Sequence, residues 1–186
     1  MTETYLPRSC FKTYTTLPDD VVVVQAWDPA VRLYGTNPSA GVTIAADDDG
    51  NYYVLDAECV LAQYAGLKRL IAAAAMRFRP SAVLIDDSGI GSALLQDLRD
   101  SEVPVRGVSS KGGREDRFLR MADLFLSGRV LLPVRAAWLG RYFGELTALP
   151  HGERDDLAAA TAAALLWMEE RAVPRRVRAE TIIKRG

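Results

Sequence analysis

Histidine and cysteine are scarce in this 186-residue chain, which has one histidine, His151, and two cysteines, Cys10 and Cys59. The cysteines lie far apart and have no Cys-x-x-Cys spacing, so they give neither a zinc-site pattern nor a disulfide framework. A reducing compartment is the simplest reading. No apolar run is long enough to cross a bilayer, because the longest helical one, Leu157 to Met168, is short and mostly alanine. Residues 1–8 lack the charged and apolar zones of a signal peptide. No Gly-x-x-x-x-Gly-Lys-Ser/Thr occurs, so there is no phosphate-cradling loop of that kind. A charge excess of one sign is also missing. The 23 Lys and Arg against 24 Asp and Glu leave a formal net charge of −1, not the basic balance of a protein that grips nucleic acid over its whole surface.

What remains is an ordinary globular composition, 49% apolar and 25% charged, on a chain long enough for one domain with a real core. Charge is unevenly distributed. Arg106, Lys111, Arg114, Arg117, Arg120 and Arg129 share one segment, and Arg171, Arg175, Arg176, Arg178, Lys184 and Arg185 fill the C-terminus. Such clusters form either a basic rim or ordinary solvated faces.

Residues 1–20, with Pro7 and Pro18 and no clear period, read as an N-terminal arm or linker. Residues 21–172 form the domain, and 173–186 a basic tail. Within the domain, Val21 to Asp28 is an apolar strand. Strands at 41–47 and 52–57 flank the turn Asp48-Asp49-Gly50-Asn51, whose Asp-Gly and Gly-Asn steps favour a hairpin. A helix at 61–78 is stopped by Pro80. A strand at 82–86, a helix at 92–99 and a strand at 103–108 follow. Helical spacing resumes at 113–127, with Gly128 as its C-cap. A short extended piece at 130–132 precedes helices at 136–147 and 155–171. The order β-β-β-α-β-α-β joins an antiparallel half to a parallel half, an α/β mixed central sheet of the ribonuclease-H-like kind flanked by helices.

Carboxylates punctuate this order. Asp28 ends the first long strand, Asp86-Asp87 ends the strand Ala82-Val83-Leu84-Ile85, and Asp155-Asp156 opens the last helix. Isolated ionised carboxylates are costly to bury, so strand-end acids are normally paired, solvated or bound to metal. Hard oxygen ligands suit Mg²⁺ or Mn²⁺, and two such ions about 3.5–4 Å apart can support phosphodiester hydrolysis. Capping and turn roles explain each acid taken singly. Alternation along a strand points Asp86 and Asp87 to opposite faces and does not say which one faces the site. Lys111, Arg114 and Arg117 are candidate phosphate contacts. His151 reads as a loop residue, and Trp27, Trp138 and Trp167 as core.

From Val22 to about Trp167 these features resemble the C-terminal nuclease domain of the large terminase subunit of tailed bacteriophages. Val23-Val24-Gln25-Ala26-Trp27-Asp28 is similar to that family's first strand, and Asp49 to Asp56 to its hairpin. Arg79 to Asp87, followed by Gly91 to Leu98, is the most specific stretch. Phe125 to Pro133 and Trp138 are similar as well. The resemblance implies Asp28, Asp86 and Asp156 as metal ligands and catalytic acids, with Asp155 as the alternative ligand. It further implies an endonuclease that cuts double-stranded DNA with little sequence preference in the host cell cytoplasm. Its partners would be a packaging ATPase domain, a small terminase subunit and a portal. Two departures stand out. Arg154 replaces the histidine of the family's His-Asp-Asp pattern, and Ala159 replaces a later aspartate. Without an ATPase loop, the chain is expected to be a nuclease domain alone or part of a longer product. A Holliday-junction resolvase and a non-catalytic DNA-binding or assembly module with a degenerate metal site are the alternative readings.

Overall fold

The structure, a computed structural model, describes residues 4–30, 37–109, 113–171 and 177–178. The strands are β1 (Lys12–Tyr14), β2 (Asp20–Asp28), β3 (Ser39–Ala46), β4 (Tyr52–Val60), β5 (Ala82–Asp86), β6 (Val105–Val108), β7 (Val130–Pro133) and β8 (Val177–Arg178). The helices are α1 (Tyr64–Phe78), α2 (Ile90–Arg99), α3 (Arg114–Leu126), α4 (Leu139–Thr147) and α5 (Asp156–Glu169).

The sheet runs β1-β7-β4-β3-β2-β5-β6, and β8 pairs separately with β2. β2, β3 and β4 form the expected antiparallel meander, while β5 lies parallel to β2 and β6 parallel to β5. This is the mixed ribonuclease-H-like sheet read from the sequence. The turn between β3 and β4 uses Gly50 at φ 81°, and Gly128 closes α3 at φ 75°; positive φ is cheap at both because glycine lacks a Cβ.

The segment expected as an arm or linker packs on the domain. Leu6 and Cys10 are buried in the main core, and β1 pairs in parallel with β7. Three residues of strand flanked by irregular chain carry too short a period to recognise in sequence. β4 continues to Val60, three residues past its expected end, and α1 accordingly starts at Tyr64 rather than at 61.

Alternation along β2 and β5 divides the core. Val24, Ala26, Ala82 and Leu84 face a large cluster shared with α3, α4 and α5, whereas Trp27, Val83 and Ile85 face α1 and α2. α5 is buried nearly all round, which its alanines permit by allowing close approach to β2 and β3 on one side and α3 on the other. Trp27 packs flat over Gly41, where any Cβ would lie 2.6 Å from the indole.

Candidate metal centre

Asp28 and Asp86 are the last residues of neighbouring parallel strands, one step beyond the paired residues Trp27 and Ile85. Side-chain alternation sets their direction. Asp28 follows the parity of Val24 and Ala26, and Asp86 that of Ala82 and Leu84, so both face the α5 side of the sheet. Both line one cleft of about 570 Å³ between α3 and α5. The choice that the sequence left open at Asp86-Asp87 is thereby resolved. Asp87 faces the other way and accepts a hydrogen bond from Ser92 Oγ at 2.7 Å, while Asp86 accepts one from Ser88 Oγ at 3.0 Å. The turn after β5 is tight. A Cβ on Gly91 would lie 1.8 Å from the Asp86 carbonyl oxygen, so glycine is required for α2 to start there.

Asp156 is the first residue of α5, and Asp155 is its N-cap. Asp155 occupies the cap position without using its carboxylate as a cap. The amide of Ala158 instead donates to Glu145 Oε1 of α4 at 3.1 Å, and the Asp155 carboxylate pairs with Arg114 Nη2. Glu145 is 9% exposed and is a functional-site neighbour that the sequence reading missed. Its signal was there: an acid on the same helical face as Tyr142 and Leu146 is a charge on an apolar stripe, which is rare unless partnered.

Electrostatics reflect this crowding. Burial, followed by the charges of Asp156 and Asp86, pushes the Asp28 carboxyl up to about 6, and the Arg114 guanidinium opposes the rise. Burial and then Asp155 raise Asp156, against Arg154 and Arg114. Burial raises Glu145, while the amides of Ala158 and Leu157 pull it back. The N-termini of α3 and α5, at Arg114 and Asp156, add partial positive charge next to the acids.

The cleft is acidic at the strand ends and basic along α3, where Arg114, Arg117 and Arg120 line it. Ala159, Ala160, Ala163 and Trp167 of α5 form the facing wall. Arg120 pairs with Glu170 at 3.2 Å, and Arg171 stacks over Trp167. Lys111 lies outside the described residues. His151 is exposed, in the turn between α4 and α5. A larger cleft of about 750 Å³, lined by Cys59, Arg141, Glu145 and Arg154 among others, contains none of Asp28, Asp86, Asp155 and Asp156, whereas the smaller one is lined by Asp28 and Asp86 but not by Asp155 or Asp156. We give the smaller cleft precedence because convergent titratable groups, not volume, mark a reactive site.

The donor set suits a hard divalent ion: carboxylate oxygens only, from two strand ends and one helix start, with mutual repulsion already evident at Asp28. Among the described residues, no three acidic, histidine or cysteine side chains converge into a ready-made ion cage. The donor chemistry is of the kind a hard divalent ion takes, but the described side chains do not by themselves form a closed ligand set.

Fold and site together define a ribonuclease-H-like domain of the terminase type. Residues 25–167 match the family model described as "Terminase RNaseH-like domain", and the chain belongs to that family. Among solved structures it is similar to the large terminase nuclease domain of P22, with a TM-score of 0.67 and 19% identity over 91% of this chain and 93% of that one. It is likewise similar to the large terminase nuclease of thermophilic phage G20c with bound magnesium, with a TM-score of 0.65 and 14% identity over 89% and 98%. The human cytomegalovirus terminase nuclease domain aligns with a TM-score of 0.61 and 9% identity over 88% and 94%. No curated protein matches the chain.

Proposed function

We propose that this chain is a divalent-metal-dependent endonuclease that cuts double-stranded DNA with little sequence preference, as the nuclease part of a phage DNA-packaging terminase. The observation that carries the reading is the placing of Asp28 and Asp86 on adjacent strand ends, facing the α5 side of the sheet at whose first turn stands Asp156. The G20c nuclease has been solved with cobalt, magnesium and zinc, which supports divalent-ion use without selecting the ion. For hard carboxylate oxygens, Mg²⁺ or Mn²⁺ is the expected choice.

Asp28, Asp86 and Asp156 would hold the ions, with Asp155, the N-cap residue before Asp156, as the alternative ligand. When bound, the ions supply an activated water and stabilise the leaving oxygen of an in-line displacement. The chain's own contribution is positioning. The paired ends of β2 and β5 fix Asp28 and Asp86 side by side, and Glu145 fixes the first turn of α5 that carries Asp156. Arg117, half-buried on α3 at the cleft rim, would meet a backbone phosphate, with Lys111 and Arg114 beside it in sequence. A packaging ATPase, a small terminase subunit and a portal would hold DNA near this domain in the host cytoplasm, raising its local concentration above what a chain of net charge −1 achieves alone.

The deciding experiment incubates the purified chain with supercoiled plasmid in Mn²⁺, Mg²⁺ or EDTA, alongside Asp28→Asn. Nicking and linearisation that need metal and vanish in the variant are expected. Undiminished cutting by the variant would remove Asp28 from the mechanism.

A further inference from the structure

Asp155 stands at the N-cap of α5, yet its carboxylate makes no cap bond, because Glu145 of α4 takes the Ala158 amide. The freed carboxylate turns to Arg114 and forms an ion pair with it. Arg114 is held from below as well: its guanidinium lies 5.7 Å from the centre of the Phe118 ring, one helical turn on, and Phe118 is buried. The neighbouring arginines of α3 differ. Arg120 pairs with Glu170 at the far end of the cleft, and Arg117 makes no ion pair among the described residues. One arginine of the three is thus committed to the carboxylate cluster.

We infer that Arg114 is a resident counter-cation of this cluster, sharing Asp155 with any divalent ion bound there, so that metal loading must displace the guanidinium. The inference rests on the metal-centre reading above. A guanidinium and a hard divalent ion both require ionised carboxylate oxygens, and an oxygen that donates its lone pairs to one is less available to the other. Once displaced, the guanidinium remains in the cleft lined by Arg117, where a phosphate would pass. Arg114 therefore sets the metal concentration at which the centre fills, and filling the centre frees a second phosphate contact.

The test is calorimetric titration of Mn²⁺ into the full 186-residue chain, its Arg114→Ala variant and its Arg117→Ala variant, with thermal melts in EDTA. The pair is half-exposed, so a modest effect is expected: Arg114→Ala should bind Mn²⁺ about fivefold more tightly than the parent chain. It should also melt at a lower temperature in EDTA and regain the difference at saturating Mn²⁺. Arg117→Ala should match the parent in Mn²⁺ affinity. Arg114→Lys, which keeps the charge but not the planar fork, should fall between Arg114→Ala and the parent chain. Equal or weaker Mn²⁺ binding by Arg114→Ala would overturn the inference while leaving the metal centre standing. Failure of the parent chain to take up Mn²⁺ at all would overturn both.

Discussion

Replacing Asp28 with asparagine should abolish cutting and, in the absence of metal, stabilise the fold. The Asp28 carboxyl is pushed from its ordinary value of 3.8 up to about 6, first by burial and then by the charges of Asp156 and Asp86. A rise of about two pH units, at roughly 1.36 kcal/mol each, means that ionised Asp28 costs the folded state about 3 kcal/mol. The sign follows from proton binding. Between pH 3.8 and 6 the native chain holds a proton on Asp28 that the unfolded chain has released, so stability falls as pH rises through that window. Above pH 6 the full penalty is present, and below pH 3.8 it is absent. The substituted asparagine carries no charge at any pH, and at a strand end open to a cleft its amide can reach water. Urea unfolding in EDTA should therefore find Asp28→Asn more stable than the parent by about 2–3 kcal/mol at pH 8, with the gap shrinking to within about 0.5 kcal/mol at pH 4. Added Mn²⁺ should stabilise the parent and not the variant. A variant that is less stable at pH 8, or a gap that does not change with pH, would refute the assignment of strain to this carboxylate.

Three further outcomes are expected. Glu145→Ala removes a buried acceptor from the first turn of α5 and should lower unfolding free energy by about 2–3 kcal/mol in urea titrations, whereas Glu145→Gln, which keeps a carbonyl oxygen, should lose less than half of that. Gly91→Ala puts a methyl group against the Asp86 carbonyl oxygen and must push α2 off β5; thermal melts should show destabilisation of more than about 2 kcal/mol, and plasmid cutting should fall with it. Arg117→Ala should weaken duplex binding by about the same factor on unrelated sequences and reduce the salt slope by about one, as read by fluorescence anisotropy across a salt series; a loss confined to one sequence would contradict a phosphate role.

Most of the fold was legible because its signals were local and periodic. The run Val21 to Asp28 declared its strand, Asp-Gly at 49–50 its hairpin, Pro80 the end of α1 and Gly128 the end of α3. β1 was not legible: three residues whose stability comes from pairing with β7, far along the chain, leave no local pattern. The acids were visible as strand-end and helix-start residues, but their facing was not. Asp86 could be told from Asp87 only after Ala82 and Leu84 were seen to share a core with α5. The least legible element was the exchange of duties at α5, where the residue in the cap position does not cap and a glutamate from the preceding helix does.

That exchange bears on the departure at Ala159. Ala159 lines the cleft, so an aspartate at that position would face the acids directly, and its absence removes one candidate oxygen donor. Glu145 does not replace it, because its Oε1 is spent on the Ala158 amide and the side chain lies against the other cleft. The remaining candidate is Asp155, and its carboxylate is free of capping only because Glu145 has taken that role. Glu145 and Asp155 thus form one structural unit at the start of α5. If Glu145→Gln keeps the fold, Asp155 should stay turned to Arg114 and cutting should persist. If Glu145→Ala draws Asp155 back to cap α5, Mn²⁺ affinity should fall even in the fraction that remains folded. Restoring a carboxylate by Ala159→Asp in that background should then recover Mn²⁺ binding, and a failure to do so would show that position 159 faces the cleft without reaching the ions.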